Sequence, residues 1–313
     1  MVRMSLTAKR KVNEVKYSVV IVTYNRLDLL KECIQAVFNQ SLKFDDVIIV
    51  DNASSDGTID FLHQYDDLFH IIYEKINGGG AKGFKDGIEF VINRLDTDWI
   101  LVIDDDAILD SEYLKDLNSF IINNPDYKAV AGSVLTEGKV DVTHRKRLKS
   151  GLTFSIVPVG LGDYKKDYFE CDFASFCGLM VSAKLVKEVG LPKEEYFIWY
   201  DDSEYSLRIR TKTKIANVNG AWLNHKTKKS IQNNRLNWKG YYGIRNMGDI
   251  IHIYGKTSQY RLYRTRVKIA LIKNWLMYFL KKEESYKFNF DLYRDALKDM
   301  KNRVFGFNIK YHP

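Results

Sequence analysis

Apolar runs of strand length alternate with amphipathic stretches over the first hundred residues. The segments 17–24 (YSVVIVTY) and 46–51 (DVIIVD) are rich in β-branched residues, and apolar residues recur every three or four positions between them. This pattern predicts a βαβ unit. The alternation continues with four further predicted elements: a helix over 57–65, a strand over 69–74, a helix over 85–95 and a strand over 98–104.

Such alternation predicts an α/β fold with a mostly parallel, Rossmann-like sheet, helices on both faces and right-handed crossovers. Ligands of such sheets bind outside the carboxyl ends of the strands. Polar clusters follow three predicted strands, at 23–25 (TYN), 51–57 (DNASSDG) and 104–107 (DDDA). We therefore expect the three clusters to meet in one crevice.

The pattern divides the chain into three regions. We predict an N-terminal extension over 1–16, a catalytic domain over 17–225 and a basic, aromatic, mainly helical region over 226–313. The last region contains 20 Lys+Arg and 6 Asp+Glu, a net charge of +14, which leaves −6 for the rest of the chain. Such a basic segment suits nucleic acid, an anionic membrane surface, an acidic substrate or simple solvation.

The chain has three cysteines without paired spacing, so neither a disulfide framework nor a cysteine zinc site is indicated. Its first fifteen residues are charged rather than apolar, unlike a secretory signal peptide. The longest apolar segment, 267–280, contains Lys268 and Lys273 and is shorter than the roughly 20 residues that span a bilayer. These features predict a cytoplasmic protein without a membrane span.

Asp104, Asp105 and Asp106 follow an apolar strand directly. Adjacent carboxylates repel one another unless a cation or hydrogen-bond donors compensate. Mg²⁺ or Mn²⁺ takes oxygen ligands and binds through one or two carboxylates together with substrate phosphates. Side chains alternate along a strand, so we expect Asp104 and Asp106 to point to the same side and Asp105 to point away. A solvated acidic turn is the alternative.

A second acidic cluster, Asp201, Asp202 and Glu204, follows Trp199 and Tyr200. Carboxylates beside bulky aromatic residues suit a general base whose pKa is tuned by partial desolvation. They also suit an ordinary helix N-terminus. Downstream, a neutral His225 could complete an Asp-rich coordination shell, although a lone histidine is more often structural.

A glycine-rich segment, 77–87 (NGGGAKGFKDG), could cradle phosphate at a helix N-terminus, with Lys82 adding charge. It is not a Walker loop, because no GKS or GKT follows. The first βα turn (TYNRLD) has no glycine, which disfavours a nicotinamide-type cofactor.

Seven motifs in order resemble glycosyltransferase family 2 over about 17–248, most closely its bacterial galactofuranosyl- and rhamnosyltransferase branch. They are VVIVTYNR, VDNASSDGT, NGGGAKGF, DWILVIDDDA, CGLMVSAKLVKEVGLP, FIWYDDSEYSLRI and YYGIRN. The resemblance implies a GT-A fold, a nucleotide-diphosphate sugar donor, an Mn²⁺ or Mg²⁺ cofactor and inversion at the anomeric carbon.

The resemblance also implies roles for single residues. Asp104 would contact the donor ribose, Asp106 and His225 would hold the metal, and Asp202 would be the catalytic base. Asp105 is grouped with the donor site without a specific role. The remaining donor-binding candidates are Thr23, Tyr24, Asn25, Asp51, Asn52 and Lys82, and the acceptor-binding candidates are Trp199, Asp201 and Glu204.

The glycine-rich and WYDD motifs favour UDP-galactofuranose as donor, with dTDP-rhamnose as the alternative, since YYGIRN is shared by both groups. Acceptors in this family are often glycans built on lipid diphosphates. We therefore expect a peripheral position on the inner face of the cell membrane, with Trp275, Tyr278 and Phe279 at the interface.

The alternative functions are those of a nucleotidyltransferase and of a non-catalytic nucleic-acid-binding protein. No nucleic-acid-binding motif is found, and an acidic crevice would repel a phosphate backbone.

Overall fold

A computed structural model describes residues 15–149, 151–226 and 236–313 of the chain. Most of the predicted N-terminal extension and the first part of the predicted C-terminal region, 227–235, lie outside these residues.

The alternation predicted for the first half is present. Parallel strands lie side by side in the order β3-β2-β1-β4, and helices connect them. The elements are β1 (Tyr17–Thr23), α1 (Leu27–Phe38), β2 (Asp46–Asp51), α2 (Thr58–Leu62), β3 (His70–Tyr73), α3 (Gly79–Arg94) and β4 (Trp99–Asp104).

The register of these strands explains why the polar clusters meet. Thr23 at the end of β1 pairs with Asp51 at the end of β2. On the other side of β1, Val22 pairs with Asp104 at the end of β4. The three strands therefore end level with one another, as the sequence predicts.

The second half completes a mixed sheet. Its elements are β5 (Ala107–Leu109), α4 (Tyr113–Asn123), β6 (Ala129–Thr136), β7 (Lys139–Val140), β8 (Arg145–Lys149), β9 (Ser155–Pro158), β10 (Tyr168–Cys171), β11 (Phe173–Ala174), β12 (Leu179–Ser182), α5 (Ala183–Val189), α6 (Asp201–Ile209) and β13 (Ile215–His225). The main sheet runs β10-β13-β6-β12-β4-β1-β2-β3, with β12 antiparallel to both of its neighbours. Short 3-10 helices occupy His63–Tyr65, Val142–His144, Asp163–Lys165 and Glu194–Tyr196.

The core lies on both faces of the main sheet. Val19 and Ile21 of β1 belong to one buried apolar cluster, and Val20 and Val22 belong to the other. This alternation is the period-two pattern of a strand buried on both faces. A separate three-stranded sheet has the strand order β11-β8-β9.

The glycine-rich segment contains the first residues of α3, and three of its glycines pack closely against other parts of the chain. A Cβ on Gly83 would lie 2.6 Å from a methyl group of Val22, and a Cβ on Gly87 would lie 2.4 Å from one of Val20. Gly79 has φ +80°, and its Cβ would lie 2.1 Å from the carbonyl oxygen of Phe197. These three glycines bring α3 against the sheet and against the loop that precedes α6.

The predicted helical region contains α7 (Lys239–Tyr254), α8 (Thr257–Lys281) and α9 (Glu284–Asn302). Tyr241 and Tyr242 of α7 are buried together with Phe197 and with Leu292 of α9. The helices therefore pack on the sheet-containing part of the chain. In the three described ranges, no helix combines the length and apolar character needed to cross a bilayer.

Candidate functional site

A cavity of about 740 Å³ opens where β1, β2 and β4 end. The start of α3, the loop before α6, the end of β13 and the start of α7 close its other sides. Of the residues predicted to be functional, the lining includes Thr23, Tyr24, Asn52, Asp104, Asp105, Asp106, Trp199, Asp201, Asp202 and His225. We call this cavity the cleft.

Asp105 does not point away from its neighbours, in contrast to the expectation from strand alternation. Its Oδ2 accepts a hydrogen bond of 2.8 Å from Thr23 Oγ1. Arg26 Nη1 lies 3.1 Å from Asp105 Oδ1 and 2.8 Å from Asp106 Oδ2. The reason is that β4 ends at Asp104, so Asp105 and Asp106 lie in a turn where the alternation no longer holds.

Burial and mutual repulsion both raise the pKa values of Asp104 and Asp105. Burial raises the pKa of Asp104, and the negative charges of Asp106 and Asp105 raise it further. Burial also raises the pKa of Asp105 to about 6, although the charge of Arg26 and the bond from Thr23 oppose this shift. A cation bound here would offset the repulsion between these carboxylates and favour their charged forms.

His225 lies beside Asp106, as the sequence predicts. Its Nε2 is 3.2 Å from Asp106 Oδ1, because β13 pairs with β5 and so places His225 opposite Ala107. Burial alone would lower the pKa of His225, but its hydrogen bond to Asp106 and the charges of Asp106 and Asp104 outweigh burial and raise the pKa.

This donor set fits a hard divalent cation with few protein ligands. Over the described ranges, no three His, Cys, Asp or Glu side chains are grouped as a ready coordination shell. Asp106 and His225 supply one carboxylate and one imidazole. Mg²⁺ and Mn²⁺ sites commonly use one or two carboxylates and complete the shell with water and substrate phosphate.

Asp201 and Asp202 lie in the first turn of α6 and line the same cleft. Burial, followed by the charge of Asp202, raises the pKa of Asp201 well above its ordinary value. Burial also raises the pKa of Asp202, while the charge of Lys146 and the hydrogen bond from Ser203 oppose that rise. A raised pKa makes a carboxylate a stronger proton acceptor, which suits a general base.

The loop before α6 has an unusual backbone. Phe197, Trp199 and Tyr200 have φ values of 65°, 63° and 69°. Bulky residues rarely occupy this left-handed region, and surrounding contacts must enforce it. Trp199 remains 44% exposed and presents its indole to the cleft.

Those contacts come from the YYGIRN motif on α7. Asn246 Nδ2 donates to the carbonyl oxygens of Tyr196, Ile198 and Trp199 at 3.0, 3.1 and 2.8 Å. Arg245 Nη2 lies 3.2 Å from the carbonyl oxygen of Tyr196. Both side chains are almost completely buried, so α7 fixes the loop that carries Trp199 and the two aspartates.

Asp51 and Asn52 are buried at the end of β2. Asp51 Oδ2 accepts from the Ser54 backbone at 3.1 Å, while its Oδ1 is buried without a hydrogen-bond partner in the described chain. Asn52 donates to the carbonyl of Gly79 at 3.2 Å, and its Oδ1 also lacks a described partner. Buried polar atoms without partners are rare, and a bound ligand is one explanation. Asn25 accepts from the Ser55 backbone at 2.6 Å and ties the end of β1 to this loop.

Four predicted residues do not line the cleft: Asn25, Asp51, Lys82 and Glu204. Lys82 Nζ lies 2.7 Å from Glu74 Oε2 and also contacts Asp86. Glu204 is 1% exposed and pairs with Arg208 at 2.9 Å. The ammonium group of Lys82 is paired with two carboxylates, Glu74 after β3 and Asp86 on α3. Glu204 lies on the buried side of α6.

Sequence reasoning missed four residues that line the cleft: Arg26, His144, Lys146 and Lys239. Arg26 directly follows the TYN cluster in the sequence. This position alone would have predicted that its side chain lies near the same strand ends. Lys146 lies on β8, and His144 directly precedes that strand. The sequence pattern around both residues is irregular and predicts no strand. Burial lowers the pKa of His144 to about 3, with the charge of Arg145 acting in the same direction. Burial, followed by repulsion from Arg26, lowers the pKa of Lys239, which begins α7.

Comparison with known sequences gives a consistent result. The family model described as Glycosyl transferase family 2 matches residues 18–190, which is more than half of the chain. The low-salt glycan biosynthesis hexosyltransferase Agl10 of Haloferax volcanii is 23% identical over 194 residues, covering 62% of this chain and 61% of the relative. The dTDP-rhamnosyl transferase RfbF of Shigella flexneri is 30% identical over 195 residues, covering 60% and 61%.

A shorter match links the chain to the poly(ribitol-phosphate) beta-glucosyltransferase of Bacillus spizizenii. The two are 33% identical over 104 residues, covering 32% of this chain and 16% of the relative. The chain thus spans less than two thirds of the length of each of these relatives.

Solved structures share the fold. The crystal structure of GalNAc-T7 with UDP, GalNAc and Mn²⁺ has a TM-score of 0.63 at 14% identity, covering 94% of this chain and 57% of that one. Residues 1–349 of S. aureus TarS in complex with UDP give a TM-score of 0.52 at 14% identity, covering 92% of both chains.

Proposed function

The chain belongs to glycosyl transferase family 2, and we propose that it transfers a sugar from a nucleotide-diphosphate sugar to a glycan hydroxyl with inversion. One observation carries this proposal. Asp202 lines the same cleft as Asp104, Asp106 and His225. A proton acceptor and a cation-binding group therefore border one space large enough for donor and acceptor.

Asp202 is the base in this reaction. It takes the proton of the acceptor hydroxyl while that oxygen forms a bond to the anomeric carbon, and the bond from that carbon to the diphosphate oxygen breaks. The electron pair leaves with the nucleoside diphosphate. A single displacement from the face opposite the leaving group inverts the anomeric configuration.

The leaving diphosphate carries negative charge that the cleft must stabilise. Asp106 and His225 would hold the divalent cation, whose chemistry is to neutralise the diphosphate oxygens. Arg26 and Lys239 also line the cleft and supply fixed positive charge. Lys239 takes the part that the sequence suggested for Lys82, because its ammonium group lies at the cleft and that of Lys82 does not.

Two donors are supported by different observations. The glycine-rich and WYDD motifs support UDP-galactofuranose. The name of the Shigella relative and that of an O-antigen chain rhamnosyltransferase of Salmonella typhimurium, 30% identical over 123 residues, support dTDP-rhamnose. Both donors fit the same cation and base.

We also propose that the acceptor belongs to a cell-surface polysaccharide and is linked to a lipid. The names of the relatives concern glycans, O-antigen chains and poly(ribitol-phosphate). The strongly basic helical region supports work at the cytoplasmic face of an anionic membrane.

A donor panel tests the proposed reaction. UDP- and dTDP-sugars are incubated with the protein and Mn²⁺ or Mg²⁺, and released nucleotide is measured with and without EDTA. We expect release of UDP or dTDP from one donor, and loss of that release with EDTA. Release of pyrophosphate from a nucleoside triphosphate would instead identify a nucleotidyltransferase. DNA binding that ignores EDTA, without any donor hydrolysis, would support a nucleic-acid-binding protein.

A further inference from the structure

One side of α8 exposes a continuous apolar row. Its members are 46% to 72% exposed and follow one another at intervals of one or three residues, which place them on one helical side. The row consists of Ile269, Ile272, Trp275, Leu276, Phe279 and Leu280. Large apolar side chains exposed together on one side of a helix form the kind of patch that marks an interaction site.

A basic pocket borders this row. It has a volume of about 330 Å³, lies between α8 and α9, and has no carboxylate among the described residues that line it. Its cationic members are Arg264, Lys268, Arg294, Lys298 and Lys301. The three lysines are exposed, whereas Arg294 is paired at its outer side with Asp291 and Asp295, at 2.8 and 2.9 Å.

Arg264 provides an independent sign of a ligand. Its Nε is buried and has no hydrogen-bond partner in the described chain, and its guanidinium lies 5.6 Å from the ring centre of Tyr260. A buried donor without a partner is costly, and an anion entering the pocket would satisfy it.

The pocket and the apolar row share α8. Arg264, Lys268 and Leu271 are four and three residues apart, so they form the edge of the helix that faces the pocket. Trp275 continues this edge and joins it to the row. The helix is 25 residues long, which corresponds to roughly 37 Å, and it contains six basic and no acidic residues.

We propose that α8 and α9 form a docking surface for an anionic phospholipid bilayer. The apolar row enters the interface between headgroups and acyl chains, and the basic pocket binds a lipid phosphate. Charge complementarity favours this occupant, because a helix that lies in a membrane interface combines an apolar side with Lys and Arg beside it. A second copy would oppose one basic pocket to another, and a nucleic acid would leave the apolar row uncovered.

The docking surface differs in one residue from the sequence expectation. Trp275 and Phe279 are 52% and 64% exposed, but Tyr278 is half-buried and lies under the ammonium group of Lys287 on α9, 5.9 Å from its ring centre. Tyr278 therefore packs between the helices rather than at the membrane.

This inference rests on the proposed work at a membrane, but its test does not need turnover. Full-length protein is sedimented with vesicles of phosphatidylcholine alone or with phosphatidylglycerol added, at low and high salt. We expect binding only to the anionic vesicles, and release by salt. Each basic residue near an anionic surface contributes about fivefold to binding, so Lys298→Glu with Lys301→Glu should weaken binding by well over tenfold.

Matched variants separate the two parts of the surface. Ile272→Ser should weaken vesicle binding severalfold, whereas Ile122→Ser, an equally exposed isoleucine on α4, should not. Lys139→Glu, on β7, is the control for charge reversal. Donor hydrolysis without vesicles is measured on every variant and should persist.

Three results would overturn the docking surface. They are equal binding to neutral vesicles, no vesicle binding by a protein that hydrolyses donor, and a dimer in light scattering that Ile272→Ser dissociates. Vesicle binding without hydrolysis of any donor would count against the proposed reaction and leave the docking surface standing.

Discussion

The amide of Asn246 lies 2.8 Å from the carbonyl oxygen of Trp199, 47 residues earlier in the chain. The same amide also donates to the carbonyls of Tyr196 and Ile198. Through these bonds α7 holds a loop whose backbone would not adopt its φ values unaided. The loop in turn fixes where α6 begins, and therefore where Asp202 meets the cleft.

Asn246→Asp should lower kcat by roughly 10²-fold while leaving the affinity for UDP within a few fold. The carboxylate cannot donate to the three carbonyls, and small displacements of a catalytic group have effects of that size. The loss of buried donors should also reduce the free energy of unfolding by about 1–3 kcal/mol. Steady-state kinetics, UDP titration and thermal denaturation check these outcomes.

Asn123→Asp is the control, because that amide is exposed and, within the described residues, donates to a carbonyl of its own helix at 2.9 Å. A stable Asn246→Asp protein with unchanged kcat would show that α7 does not position the base.

Asp202→Asn should reduce transfer by about 10²–10⁴-fold without weakening donor binding, because it removes the proton acceptor and leaves the cation site intact. Glu204→Gln is the matched comparison two residues further along α6. It breaks a buried pair with Arg208 and should cost about 1.5–3 kcal/mol of stability, while kcat of the folded protein stays near normal. Equal losses of kcat in both variants would argue against Asp202 as the base.

Lys239→Met should weaken UDP binding by roughly tenfold or more, whereas Lys82→Met should change it less than about twofold. A charged hydrogen bond to phosphate contributes about 1.5–3 kcal/mol. Of these two lysines, Lys239 lines the cleft and Lys82 does not. Isothermal titration with UDP measures both. The reverse order of effects would restore the donor role suggested for Lys82 by the sequence.

The outcome for these two lysines shows what local sequence can and cannot predict. The family, the α/β fold of GT-A type and the helical C-terminal region are confirmed. The convergence of Asp104, Asp106 and Asp202 was predictable, because strand ends and helix starts have local signatures. Lys146 reaches the cleft through the pairing of β8 with β9 and β11, and Lys239 through packing of α7. Such long-range pairings have no local periodicity.

The same limit explains the glycine-rich segment. Glycine permits both close approach to an anion and close packing of a helix on a sheet. The residues alone do not distinguish these uses. The contacts of Gly83 with Val22 and of Gly87 with Val20 decide for packing at those two positions.

The pH dependence of kcat/KM should reflect the raised pKa of Asp202. The base acts when deprotonated, so activity should rise with pH through a value above the ordinary carboxyl range near 3.9. Lys146 stabilises the carboxylate, and Lys146→Met should therefore move this acidic limb to higher pH. Lys149→Met, at an exposed position of the same strand, should leave it in place. A limb that moves to lower pH in Lys146→Met would contradict the assignment.

Neighbouring glycines at the start of α3 provide the sharpest test of packing against phosphate binding. Gly79→Ala should destabilise the protein, because left-handed backbone costs a residue with a Cβ about 1–2 kcal/mol and the new Cβ would overlap the carbonyl of Phe197. This overlap should also displace the loop before α6 and lower kcat. In the described chain, the Cβ of Gly80→Ala would meet no atom within 4 Å apart from its chain neighbours and the backbone of its own helix. Alanine in a helix is favoured by roughly 0.5–1 kcal/mol, so the melting temperature should be unchanged or slightly higher. UDP affinity separates the two roles: if Gly80→Ala weakens UDP binding strongly at full stability, the backbone at Gly80 approaches the donor, and the segment serves as a phosphate cradle as well as a packing surface.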